Sequence, residues 1–113
     1  MEIRSKLWIE INGEPVFGRG RSSLLAAIER TGSINRAAQD MSISYRKAWC
    51  YLEIMETRLG VKLVERRTGG RNGGGAVLTD AAHQLIRSYE EMEHAVTHMV
   101  DMHFSRLFER QIQ

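Results

Sequence analysis

The chain has 113 residues, 42% of them hydrophobic, a net charge of +2 and a single cysteine. That length suits one domain with a modest core, no apolar run is long enough to span a bilayer, and the charged N-terminus carries no secretory apolar segment. Cys50 alone excludes an internal disulfide framework and fits a reducing compartment, so a cytoplasmic protein with no membrane partner is expected.

The first element is a hairpin. Lys6 to Ile11 alternates apolar and polar residues, Asn12-Gly13 tolerates the two positive φ angles of a tight turn, and the return runs to Phe17. Pro15 suits an edge position. Arg21 to Arg30 reads as a first helix with Leu24, Leu25 and Ile28 on one face; Ser22 or Ser23 is its candidate cap and Gly32 its stop. Ser33 caps a short second helix, Ile34 to Asp40, whose Ala37 and Ala38 allow close helix approach. Met41 and Ser42 make a turn, Ser42 or Ser44 caps a third helix, and Gly60 ends it after Leu59. Two helices joined by a tight turn form a helix-turn-helix. Ala48, Leu52, Met55 and Leu59 make the inner stripe of the third helix. Arg46, Cys50 and Glu53 lie opposite, with Lys47 and Ile54 beside them and Tyr45 and Trp49 on a flank.

Val61 to Glu65 reads as a strand, Arg66 to Gly75 as a loop, and Ala76 to Leu78 as a returning strand, which together make a wing. Thr79 caps a long final helix, with Asp80 favourable in its first turn. Along it Ala82, Leu85, Tyr89, Met92, Val96 and Met99 repeat at three and four, a heptad seam. The expected fold is mainly α (α+β): a winged helix-turn-helix with an N-terminal β-hairpin and a long C-terminal dimerisation helix. The expected organisation is a DNA-binding domain over residues 1–78 and a linking helix over 79–113. The dimer contacts fall to Leu85, Tyr89, Met92, Val96 and Met99; the alternative is a helix folded back on its own domain.

Charge supports a polyanion partner. Residues 42–75 hold seven Lys/Arg against three Glu, whereas residues 79–113 hold three Arg against six Asp/Glu. Ordinary surface scatter explains such unevenness equally well. The wing tip is more specific. Its glycines permit close backbone approach, and Arg66, Arg67, Arg71 and Asn72 can meet phosphates or a minor groove. A nucleotide-binding P-loop is excluded, because no Lys-Ser/Thr pair follows the glycines. On the third helix Arg46 and Lys47 point to base edges or phosphates, with Ser44 and Tyr45 at the entry. Trp49 is either a flank of the core or a wall against the sugar-phosphate backbone. Cys50 reads as a passive outward position rather than a redox switch. His94 and His98, one turn apart, read as a surface pair, so no metal or other cofactor is expected. No residues assemble a catalytic set, so no enzyme is expected.

The pattern GSI-x-x-AA, then ISY-x-x-AW, then LV-E-R-x-TGG-x-x-GGGAVLT, between Gly32 and Thr79, resembles the DNA-binding domain of the ModE family of molybdate-responsive bacterial regulators. More distantly, Leu59 to Arg66 is similar to the LG-x-x-LF-x-R of LysR-type winged helices, with Val64 in place of Phe. The resemblance implies a winged-helix homodimer on palindromic double-stranded DNA. The helix from Ser44 to Cys50 would read the major groove, and the loop from Arg66 to Gly75 would act as the wing. Ser33, Asn35, Arg36 and Ser42 complete the implied DNA-contacting set. Members of that family carry oxyanion-binding domains after the linking helix. This sequence ends at Gln113, so binding of molybdate or another oxyanion is not expected of it. The competing function is a winged-helix protein-interaction module without its own DNA site.

Overall fold

A computed structural model describes residues 1–67, 75–109 and 111. The order is β1 (Trp8–Ile11), β2 (Glu14–Gly18), α1 (Arg19–Thr31), α2 (Ile34–Asp40), α3 (Tyr45–Leu59), β3 (Val64–Arg67), β4 (Gly75–Leu78) and α4 (Asp80–Phe104), with a π-helical turn over Ser105–Glu109. The expected winged helix-turn-helix is present. Each hairpin is a two-stranded antiparallel sheet.

Asn12 and Gly13 hold φ of 53° and 80°, the two positive angles that let β1 fold directly onto β2. Phe17 from this hairpin is fully buried among Leu24, Leu25 and Ile28 of α1 and Leu52 and Met55 of α3. Ala37 and Ala38 of α2 and Ala48 of α3 are also buried, so the helix-turn-helix crosses on small residues as its sequence requires.

Glycine ends two helices as expected. Gly32 and Gly60 both adopt left-handed φ, and their N–H groups donate back to Ile28 and Glu56 carbonyls. Caps differ from expectation at one site. Ser33, Ser44 and Thr79 accept from Arg36, Lys47 and Ala82 N–H groups, but α1 begins at Arg19 after Gly18, which supplies no side-chain cap. Ser22 and Ser23 therefore lie inside α1, and Ser22 is buried. Of the two candidates for α3, Ser44 is the cap; Ser42 makes the turn at φ 57°.

The wing strand begins at Val64 rather than Val61. Glu56 explains the shift. Its Oε2 accepts from the Leu63 and Val64 N–H groups at 2.8 and 3.2 Å, which holds the chain after Gly60 in a bend before β3 starts. The wing is tied on its other side where Ala76 N–H donates to Gly32 O at 2.9 Å. Gly75 sits so close that a Cβ there would lie 3.3 Å from that oxygen, which is why a glycine closes the run.

The long helix is buried along only its first half, and the heptad seam splits accordingly. Ala82, Ile86 and Tyr89 form a stripe buried against the domain. Tyr89 packs edge-on to Phe17 and donates to Leu7 O at 2.9 Å. Tyr89 therefore belongs to the core, which corrects its place in the expected dimer seam. Leu85 also packs partly against the core. Beyond it Met92 and Met99 are exposed and Val96 is half-buried. Glu93 joins α4 to α1 through an ion pair with Arg19 at 2.9 Å. The Glu93 hydrogen bond and charge raise the Arg19 guanidinium above its usual range. Burial, with the Glu93 charge second, pushes the Tyr89 phenol above its usual value.

Candidate nucleic-acid interface

The exposed face of α3 and the base of the wing form one surface. Tyr45, Arg46 and Lys47 occupy the first turn, immediately after the Ser44 cap, and all three are exposed. The uncompensated N-terminus of a helix favours negative charge, and two cations beside it strengthen that preference. Trp49 follows one turn later, half-buried against the core with its ring edge-on to Tyr45 at 6.2 Å.

Trp49 also reaches the wing. The Arg66 guanidinium lies over its indole, 3.7 Å from the ring centroid. Such stacking is worth about 0.5–1 kcal/mol at an exposed site, and more where water is excluded. Arg66 pairs with Ala76 across the ladder, on the face that carries Val64 and Leu78 inward. Arg67 takes the opposite face, beside Gly75. The two arginines consequently differ: one is locked to α3, and the other has no side-chain partner among the described residues. Of the two expected roles for Trp49, the core flank is seen, together with a platform for a wing arginine.

The remaining expected contacts fall nearby or outside. Asn35 and Arg36 are exposed in the first turn of α2. Ser33 and Ser44 spend their acceptor oxygens on capping. Ser42 and Cys50 are exposed, and Cys50 is a free thiol. Arg71 and Asn72 lie outside the described residues.

Three residues escaped the sequence reading: Glu56, Arg21 and Tyr51. Glu56 sets the wing register, and only its position one turn before Gly60 hinted at that. Arg21 lies over the Tyr51 ring at 5.0 Å and donates to Pro15 O at 3.3 Å, which ties α1, α3 and β2 together. Its signal was the pair of arginines flanking Gly20 at a helix start with no acidic residue. Lys47 Nζ approaches the same Tyr51 ring at 5.8 Å.

The model of the bacterial regulatory helix-turn-helix proteins of the lysR family matches residues 21–83, from α1 through the start of α4. The chain belongs to that family. It is 44% identical over 78 residues to the transcriptional regulator ModE of Haemophilus influenzae, a match covering 69% of this chain and 31% of that protein. It is 43% identical over 84 residues to the molybdenum-pterin-binding protein MopB of Rhodobacter capsulatus, covering 74% of this chain and 31% of that one. The chain thus spans under a third of the length of these relatives. Among solved structures, a CbnR_DBD–DNA complex superposes with a TM-score of 0.57 at 20% identity, covering 76% of this chain and 93% of that one. Full-length LysG of Corynebacterium glutamicum gives 0.54 at 24% identity, over 79% of this chain and 29% of that one. These likenesses establish the winged-helix fold.

Proposed function

We infer that these residues bind double-stranded DNA sequence-specifically as part of a homodimeric bacterial transcription regulator, acting in the cytoplasm as a binder and not as an enzyme. The observation that carries this is the Arg66–Trp49 stack, because it merges wing and recognition helix into one cationic, aromatic face. The first turn of α3 would enter the major groove, where Arg46 meets base edges and Lys47 a phosphate. Arg66, Arg67, Arg71 and Asn72 of the wing would follow the backbone, with Asn35 and Arg36 of α2 on the flanking phosphates. The relatives fit this: the Escherichia coli match, 47% identical over 70 residues, is a DNA-binding transcriptional dual regulator. The exposed half of α4, carrying Met92, Val96 and Met99, would pair two copies and space the recognition helices about 34 Å apart on an inverted repeat. The inference is confined to DNA recognition and pairing. It assigns no molybdate site to these residues.

Selection of bound duplexes from a random pool, at 50 and 200 mM salt, tests it. An inverted repeat should be enriched, and affinity should fall on the order of 1,000-fold between the two salts as counterions are released. Arg46→Ala should relax base preference at one position by about 1–3 kcal/mol. Equal losses on every duplex would deny Arg46 its reading role, and absence of any enriched sequence would favour a protein-contact module.

A further inference from the structure

On the flank of the helix-turn-helix, away from the Trp49–Arg66 stack, lies a groove of about 530 Å³. Its walls come from Leu7 before β1, Trp8 of β1, Phe17 of β2, Leu24 of α1, Met41 and Ile43 of the turn before α3, and Tyr51 of α3. That volume lies within the range of small-molecule sites, which are mostly apolar with a few placed polar groups. The polar groups here all have one sign. Among the described residues Lys6, Arg19 and Arg21 line the groove and no Asp or Glu does.

Arg19 is already neutralised by Glu93, which leaves Arg21 and Lys6. The Arg21 guanidinium is fixed over Tyr51 and against Pro15 O, and its Nε is buried with no acceptor among the described residues. The guanidinium as a whole is only half-buried, so it stays a fixed cation at the groove wall, where it favours an anionic partner. The second observation is α1 itself, which opens on this groove through Gly18, Arg19 and Gly20 with no side-chain cap and no acid in its first turn. The first turn of α1 therefore lines the same groove as Arg21, and the N-terminal end of a helix favours negative charge. Gly20 has open space where a Cβ would stand, so the approach is clear.

We propose that this groove binds an apolar organic monoanion, a carboxylate or sulfonate carried on an aromatic or acyl body. The charged group meets Arg21, the first turn of α1 and Lys6, while the body lies on Leu7, Phe17, Leu24 and Ile43. Because Met41 and Ile43 belong to the turn before α3, and Tyr51 to α3, an occupant touches the element that, resting on the DNA-binding function inferred above, reads DNA.

The probe is 1-anilinonaphthalene-8-sulfonate, titrated by fluorescence against the full chain, with octanoate and octylammonium as competitors of equal length. One probe should bind per chain. Octanoate should displace it at a concentration at least tenfold lower than octylammonium. Arg21→Met, which keeps the aliphatic stem, should weaken the probe at least tenfold, and Lys6→Glu at the exposed rim severalfold. Should Arg21→Met fail to fold by circular dichroism, Lys6→Glu carries the test alone. Unchanged affinity in both variants places the probe elsewhere, for instance on the exposed methionines of α4, and overturns the proposal. Equal displacement by the anion and the cation overturns it too. So does displacement by a random 20-base-pair duplex at low salt without displacement by octanoate, which makes the groove a phosphate contact. No operator enters this titration, so its failure leaves the DNA-binding inference intact, and a failed duplex selection leaves the groove intact.

Discussion

Glu56→Ala tests how the wing is held. One carboxylate oxygen accepts from two consecutive backbone N–H groups, Leu63 and Val64. A buried donor left without an acceptor costs about 1–3 kcal/mol. Both donors here are only partly buried, so water recovers some of that, and about 1 kcal/mol each is reasonable. Alanine returns about 0.4 kcal/mol at most through its higher helix propensity in this last turn of α3. The net loss is therefore about 1.5 kcal/mol, which in a domain of this size lowers Tm by roughly 6–10 °C. Glu56→Gln keeps an uncharged acceptor and should lose less than half as much. The assay is thermal unfolding followed by circular dichroism at one fixed protein concentration, because the proposed pairing would make Tm depend on concentration. Hydrogen exchange localises the effect: protection should fall first at the Leu63 and Val64 amides. Binding to all duplexes should weaken together, since the damage is to the wing and not to base contacts. A Glu56→Ala melt within 2 °C of the parent would refute this account, as would a Gln variant as unstable as the Ala variant.

Two further outcomes are expected from α4. Met92→Glu with Met99→Glu should convert a dimer to monomers in sedimentation equilibrium: four methionines buried at about 1.5 kcal/mol each contribute about 6 kcal/mol to pairing, so the dissociation constant should rise at least a thousandfold. An unchanged mass would move the dimer interface off this stripe. The Tyr89 phenol, raised in the folded state, contributes stability that is fully present below its unfolded value of about 10 and is lost as pH rises through the folded value. Tyr89→Phe should cost about 1 kcal/mol at neutral pH through the unpaired Leu7 carbonyl, and its stability should decline less than the parent's above pH 10. Parallel alkaline declines in urea titrations would show that Tyr89 is not the group responsible.

Much of the architecture was legible because local chemistry and tertiary packing agree. Asn12-Gly13 could hardly form anything but a tight turn, and the alanines of α2 and α3 announce a close crossing before any contact is known. The differences arise where a remote partner decides. Spacing of three and four marks an apolar stripe but is silent on what covers it, so Tyr89 read as a dimer contact although Phe17, seventy-two positions earlier, occupies its ring edge. Val61 and Leu63 alternate like strand residues, yet Glu56 claims the amides that a strand start would use. The start of α1 was hidden because Gly18 ends β2 as it begins the helix and leaves no serine in the capping position.

The interface follows the same division. Arg46 and Lys47 sit where the sequence puts them, since the first turn of a capped helix has only one exposed side. The union of Arg66 with Trp49 was not readable: seventeen residues separate them, and alternation in β3 alone does not say which arginine turns inward. That choice falls to the pairing of Val64 with Leu78, which fixes the inner face and carries Arg66 with it two residues on. A one-residue slip in β3 would exchange Arg66 for Arg67 on the indole and turn Val64 to solvent. The Glu56 clamp at Leu63 and Val64 therefore does more than stabilise the bend. By fixing where the strand begins, it selects which wing arginine is locked to α3 and which takes the opposite face of the strand.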